Sequence, residues 1–292
     1  NCYLMSRLTE EEIKKILPTK GPTIEEVKNY LVKYNDEYIV IKCGGSVLVD
    51  KNLFNNFVND ISILNKLGLI TIIIHGGGKR ISNQLDKVGI KSNFINGLRI
   101  TCEKSIVIVE DVLNNFNKEI TEALKKNGCD SQGITNQKNN ILLVEQENRD
   151  LGFVGTPKEI NRLLIERIMN EKKVPVIAPL GLNKDNQVFN INADTTAGAI
   201  AKKLNARRLI IMSDVEGVLD NSKNLIAEIN TEKINELIKD KIISGGMIPK
   251  IKNCLDVASN GVKGVCIIDG RLKHSILFEL LSDKGSGTLI RK

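Results

Sequence analysis

The stretch LITIIIHGGGK, residues 69–79, constrains the fold more than any other part of the chain. A β-branched run stops at His75, three glycines follow, and then Lys79. Such a run carries no helical stripe and reads as a strand buried on both faces, as in a parallel sheet. Three consecutive glycines lose backbone entropy on ordering, so they suit a place where bare N–H groups approach an anion. The junction recurs: YIVIK (38–42) runs into CGGS, and IISGGMIPK (242–250) sets a glycine pair ahead of a late helix. In parallel sheets ligands bind beyond the carboxyl ends of strands, and the helix that follows adds its positive N-terminus.

Between these junctions, strand-like runs alternate with helix-period stretches. Residues 53–68 have apolar positions at 53, 57, 61 and 64, with Gly68 to cap the end. Helices are predicted over 79–89, 104–128, 195–206, 229–241 and 248–261, and strands over 69–75, 174–181, 208–214 and 264–269. The rhythm predicts an α/β protein, a three-layer αβα sandwich on a mostly parallel sheet. Ahead of it lie two short helices, 9–17 and 23–34, each opened by Thr with Glu three residues on. Val27, Leu31 and Tyr34 share one face of the second, which packs either on its own domain or on another subunit. The expected division is a helical extension over 1–35 and one α/β domain over 36–292.

Composition excludes several classes. No apolar run approaches the roughly 18 residues of a membrane span. The opening residues hold no apolar segment of the signal-peptide kind, so a cytoplasmic protein is expected, with Met5 a candidate start. Six scattered cysteines with no C-x-x-C pair point to reduced thiols rather than a metal site. The net charge of +7 is spread along the chain and aromatics make up only 4%, so a solvated basic surface with a local anion cleft is favoured over a nucleic-acid site.

The familiar phosphate motifs fail. Position 73 is isoleucine and Lys79 is followed by Arg80, against the Walker pattern; adjacent glycines break the dinucleotide fingerprint. A glycine cluster by itself is equally a tight turn, and any one lysine is usually a surface residue. The set carries more: Lys42 before one glycine pair, Lys250 after another, and Asp194 in NINADTTAG. Phosphoryl transfer asks for positive charge on the moving group and for alignment. Two lysines flanking a phosphoryl group, with a carboxylate between them, would supply both. A carboxylate acceptor needs no general base, which suits a chain with two histidines, and His75 reads as buried and structural.

The succession KCGGS, IIIHGGGK, NGLRIT, DLGFVG, NINADTTAGAIA, SDVEGVLD, SGGMIPK and IIDGRLKHSILFELLSDKGSGTLI resembles the N-acetylglutamate kinases of the amino acid kinase superfamily, from about residue 25 to the end. The resemblance implies ATP-dependent phosphorylation of the γ-carboxylate of N-acetyl-L-glutamate in arginine biosynthesis. On matching positions, Lys42 and Lys250 stabilise the transition state and Asp194 orients them. N–H groups of Gly44, Gly45 and Gly77 line the phosphoryl path, and a side chain at Gly77 would stand in that path. Gly77, Gly78, Arg99 and Asn190 border the acyl substrate, Arg99 on its α-carboxylate. Asp214, Gly217, Val218, Leu219 and Ser244 line the nucleotide pocket. Mg2+ comes with ATP, held by its phosphates, so no protein metal ligand is named. Residues 36–185 would bind the acyl substrate and dimerise, and 186–292 would bind the nucleotide.

The N-terminal helix and the GRxxHxxLxEL pattern resemble the arginine-inhibited hexamers of that family, trimers of dimers joined by interlacing helices. Tyr30, His274, Glu279 and Gly285 match the expected arginine contacts, and a PII-type regulator is a further expected partner. Cys266, GTPKEIN and LLSD depart from the usual pattern and bear on arginine affinity more than on catalysis. Rival readings are a sister kinase acting on acetylaminoadipate, glutamate or aspartate, a UMP kinase, and a non-catalytic arginine-sensing subunit. The length is read as too short for a fused acetyltransferase or for added regulatory domains.

Overall fold

A computed structural model describes residues 8–245 and 247–292. Its central sheet has eight strands: β1 (Tyr38–Cys43), β2 (Ile70–His75), β5 (Ser131–Ile134), β8 (Val174–Ile177), β11 (Arg208–Ser213), β12 (Glu228–Ile229), β13 (Val265–Asp269) and β14 (Gly287–Ile290). They lie in the order β12-β14-β13-β11-β1-β2-β8-β5. All neighbours from β13 to β5 are parallel, and β14 runs antiparallel to β13. Strand alternation explains the unbroken apolar runs. Ile39 and Ile41 of β1 point into one core and Val40 into the other, because successive side chains leave opposite faces.

Each face is covered. On one side pack α1 (Glu10–Ile16), α2 (Ile24–Lys33), α3 (Lys51–Lys66), the second half of α5 (Glu103–Lys126) and α10 (Ser275–Leu281). On the other pack α6 (Arg162–Asn170), α7 (Ala193–Leu204), α8 (Thr231–Lys239) and α9 (Met247–Ser259). The first half of α5 and α4 (Gly78–Lys87) close a smaller cluster around Ala178 and Leu180. This is the expected αβα sandwich.

Both N-terminal helices carry full capping boxes, Thr9 with Glu12 and Thr23 with Glu26. Val27, Leu31 and Tyr34 are buried in the chain's own core beside α10. Of the two placements open to that face, packing on its own domain is the one observed.

One sequence expectation is corrected. The single strand over 174–181 is two: β8 ends at Ile177, and β9 (Leu180–Leu182) joins a different sheet. Pro179, which has no N–H to give a ladder, stands at the break. That second sheet, β10-β9-β6-β7, adds β6 (Leu142–Gln146), β7 (Gly155–Ile160) and β10 (Val188–Asn190). A hairpin, β3 (Phe94–Ile95) with β4 (Leu98–Arg99), turns on Asn96 and Gly97, both at positive φ. Asn-Gly is the strongest short hairpin signal in a sequence, and it places Arg99.

Candidate functional site

The two glycine loops open side by side. Cys43 pairs with His75 in the parallel ladder, and the Gly76 N–H donates to the Cys43 carbonyl at 2.8 Å. Side chains come over the first loop so closely that it admits only glycine. A Cβ at Gly44 would collide with Lys42 Nζ, and one at Gly45, whose φ is +65°, would lie 2.5 Å from Asp214 Oδ1. Gly77 differs from expectation. A Cβ there would collide with Leu113 Cδ2 of α5, a side chain that lines the same cavity as Gly77. The second loop is glycine at this point because a helix packs behind it.

Lys42 ends β1, Asp194 lies in the first turn of α7, and Lys250 lies near the start of α9. Lys42 Nζ is 2.9 Å from Asp194 Oδ1, and Lys250 Nζ donates to Oδ2 at 3.0 Å. The three side chains are only 12%, 20% and 21% exposed in chain order. Burial by itself would raise the Asp194 carboxyl. The Lys42 and Lys250 ammonium groups outweigh that and hold it well below the usual carboxylate range.

A cavity of about 260 Å3 is lined by Lys42 and by Ala193 beside Asp194, while Asp194 and Lys250 themselves do not line it. It brings together Lys42, Gly44, Gly45, Gly77, Gly78, Arg99 and Asn190, all expected from sequence, and adds Lys79, Asn192 and Phe94. Asn192 caps α7 by accepting from the Thr195 N–H at 3.0 Å, which sets the turn that carries Asp194. Arg99 is buried among neutral acceptors. It donates to Ser92 Oγ at 2.6 Å, Gly78 O at 2.9 Å and Ser82 Oγ at 3.0 Å, and its guanidinium sits 4.7 Å from the Phe94 ring centre. No carboxylate among the described residues forms an ion pair with it, and burial lowers its pKa. Asp86 is near enough to favour its charge but forms no ion pair with it, so the guanidinium can still pair with an anion that enters the cavity.

Asp214 stands at the rim, bound by the Ser46 N–H at 2.7 Å and by Lys79 Nζ at 2.8 Å. Gly217, Val218, Leu219 and Ser244 do not line the cavity. Val218 is buried, with its N–H donating to Thr288 Oγ1 at 2.8 Å, and Ser244 is exposed just before α9. His75, fully buried, has Nδ1 2.9 Å from the Gly76 carbonyl and Nε2 3.2 Å from Asn117 Nδ2. With Nδ1–H donating and Nε2 accepting, it is neutral, and burial pushes its pKa down to about 4. Among the described residues no three His, Cys, Asp or Glu side chains gather to hold a metal, and no helix is long and apolar enough to cross a membrane.

Residues 37–269 match the profile of the Amino acid kinase family. The chain is 67% identical over 288 residues to the acetylglutamate kinase of Pelagibacter ubique (strain HTCC1062), covering 99% of this chain and 100% of the relative. The chain belongs to the acetylglutamate kinases of the amino acid kinase family. The acetylglutamate kinase of Campylobacter hominis is 45% identical over 265 residues, 90% of this kinase and 94% of its own length. Among solved structures, smu.665 from Streptococcus mutans UA159 superposes with a TM-score of 0.73 at 31% identity, over 87% of this chain and 98% of that one. N-acetylglutamate synthase from Neisseria gonorrhoeae shares the fold, with a TM-score of 0.83 at 20% identity over 92% of this chain. The kinase spans 62% of that synthase chain.

A second cavity of the kinase, about 190 Å3, lies between α2 and the C-terminal segment. Three of the four residues expected to contact arginine line it: Tyr30, Glu279 and Gly285. Glu279 is not a solvated helix residue, for its Oε2 accepts N–H groups from Ser286 at 2.6 Å and Gly287 at 3.0 Å. His274 is the exception. It is buried and turned to α3, where Nδ1 lies 2.7 Å from Asp60 Oδ1, and it does not line the cavity. Burial of the Asp60 carboxylate calls for such a partner.

Proposed function

We propose that this acetylglutamate kinase moves the γ-phosphoryl group of ATP onto the γ-carboxylate of N-acetyl-L-glutamate between Lys42 and Lys250. The observation that carries the reading is the bridge of these two lysines through one mostly buried carboxylate, Asp194, beside a cavity that holds Arg99 with no ion-pair partner among the described residues. The acceptor carboxylate is an oxyanion at neutral pH and attacks without a base. Negative charge spreads over the phosphoryl oxygens as the bond to ADP loosens, and the two ammonium groups stabilise it there. Asp194 keeps both aimed and stops them repelling each other. N–H groups of Gly44, Gly45 and Gly77 complete the path.

Arg99 takes the α-carboxylate with its planar fork, and Asn190 donates to the same substrate. Asp214, the Gly217–Leu219 backbone and Ser244 border the nucleotide. Magnesium, carried by the phosphates and water, would neutralise part of their charge. In this division residues 36–185 hold the acyl substrate and dimerise, and 186–292 hold the nucleotide.

Feedback by L-arginine falls to the second cavity. Glu279 and Asp283 offer carboxylates to a guanidinium, and Tyr30, donating to Asp283 Oδ1 at 3.0 Å, ties α2 to that loop. A hexamer joined through the N-terminal helices, and a PII-type regulator, belong to this same reading.

The test is direct. Supply MgATP and N-acetylglutamate, and trap the acyl phosphate with hydroxylamine. Hydroxamate formation no greater than with glutamate, aspartate or acetylaminoadipate would overturn the substrate. Activity unmoved by millimolar arginine would overturn the feedback.

A further inference from the structure

Lys79, the last residue of the HGGGK motif, has no task in the reaction described so far. It is the second residue of α4, beside the positive end of that helix, and it lines the main cavity together with Lys42. Its Nζ donates to Asp214 Oδ2 at 2.8 Å and to Ser46 Oγ at 3.0 Å. Asp214 is also held by the Ser46 N–H at 2.7 Å and Ser46 Oγ at 2.9 Å. A lysine from the second glycine loop thus reaches a carboxylate at the end of β11, across the first loop.

Stability does not account for this placement. Lys79 and Asp214 side chains are 47% and 32% exposed, and ion pairs so wetted contribute little to folding. Their position in the cleft is informative instead. Lys42 Nζ lies over Gly44, and Asp214, the carboxylate that holds Lys79, lies over Gly45. These are successive residues, with Cα atoms about 3.8 Å apart. Lys42 and the carboxylate that holds Lys79 therefore follow one another along a single glycine loop. Lys42 and Lys250 share one carboxylate and leave a surplus positive charge, whereas Lys79 is balanced by Asp214.

We propose that Lys79 is a ligand of the nucleotide's polyphosphate, supplied by the acyl-substrate half of the chain and parked on Asp214 until the nucleotide enters. The arriving phosphates outbid a half-exposed carboxylate because they carry more charge and more acceptor oxygens. Asp214 keeps its Ser46 N–H when Lys79 leaves, so the first loop holds its shape. The lysine then sits on the phosphate chain beyond the position of Lys42. The proposal rests on the assignment of a nucleotide to this cleft.

The experiment is calorimetric titration of the full chain with MgADP, with adenosine and with N-acetylglutamate, comparing wild type with Lys79→Met. The expected result is MgADP bound about tenfold more weakly, the loss of one charge-assisted contact. Affinities for adenosine and N-acetylglutamate stay unchanged, and Lys79→Arg recovers most of the loss. Lys79→Gln, which keeps length and polarity, repeats the measurement if the methionine variant folds poorly. Equal MgADP affinity in wild type and variants overturns the role of Lys79 and leaves the nucleotide site standing. A parallel fall in adenosine affinity also overturns it, since that lysine would shape the pocket rather than hold phosphate. Wild type that binds no MgADP overturns the nucleotide assignment and this proposal together.

Discussion

Asp194→Asn keeps the shape of the side chain and removes its charge. Two ammonium groups, at 2.9 and 3.0 Å from its two oxygens, then face each other across a neutral amide. At an effective dielectric of about 20, each lost attraction at that range is about 5 kcal/mol gross. Most of this is offset, because the ammonium groups regain water and counterions. Breaking a mostly buried pair costs about 3–5 kcal/mol net, and the side chains here are at most 21% exposed. Urea unfolding of Asp194→Asn is expected to show a loss of that size. Adding Lys42→Met removes one of the two facing charges and should recover at least about 1 kcal/mol, a coupling of the kind contacting residues show. In the hydroxamate assay Asp194→Asn should lower kcat about 100-fold with little change in KM, because misaimed lysines weaken the transition state and not the ground state. Asp194 has a folded pKa below its unfolded value. Its contribution is therefore complete above about pH 4 and is lost as the pH falls through and below that point. If the double variant is additive with the two single variants to within about 0.5 kcal/mol, the three residues do not work as a bridge and the argument fails.

Three further outcomes follow from the geometry. Arg99→Lys, which gives up the fork and its three neutral partners, should raise the KM for N-acetylglutamate about 10- to 100-fold and leave that for ATP unchanged; a shift in both would refute specific carboxylate pairing. His75 is neutral in the fold with its pKa down at about 4. The unfolded chain therefore binds the extra proton between about pH 6.5 and 4, and the histidine costs about 3 kcal/mol of stability across that window as the pH drops. His75→Asn should flatten that part of the stability profile, and an unchanged slope would place the acid lability elsewhere. Gly77→Ala should destabilise by about 1–3 kcal/mol through overpacking against Leu113, and Leu113→Ala in the same chain should relieve part of it. If Gly77→Ala is as stable as wild type yet inactive, the side chain does obstruct the phosphoryl path.

The sheet strands near the site were legible because their residues are buried on both faces. YIVIK and LITIIIH each lie between two apolar cores, so nearly every position had to be apolar. The capping boxes at Thr9 and Thr23 were legible because a cap is a contact within four residues. The small sheet of β6, β7, β9 and β10 was not read, for its strands are short and part polar, and one hides behind Pro179 in an otherwise continuous run. The Asn96-Gly97 turn is by contrast a local signal, two residues at positive φ that close a hairpin.

Local sequence thus determined which residues could carry charge at a strand end, namely Lys42 before its glycines, Asp194 at a helix start and Lys250 at another. Their meeting is a tertiary fact. Lys42 and Lys250 lie on β1 and α9, far apart in the chain, and only the parallel order β11-β1-β2, with α7 and α9 on one face, brings both to a single carboxylate. The same holds for what each glycine is for. The run HGGGK marks a backbone that must stay bare. Both Gly77 and Gly78 line the cavity, yet a Cβ at Gly78 would meet open space and one at Gly77 would meet Leu113 of a packed helix, a difference set by which elements fold against the loop. His274 makes the same point: its motif says nothing of α3, and only the fold sets it against the buried Asp60. A residue's type and spacing are written locally, but its partner is chosen by burial, because a charge removed from water must take the counter-charge that the fold sets beside it.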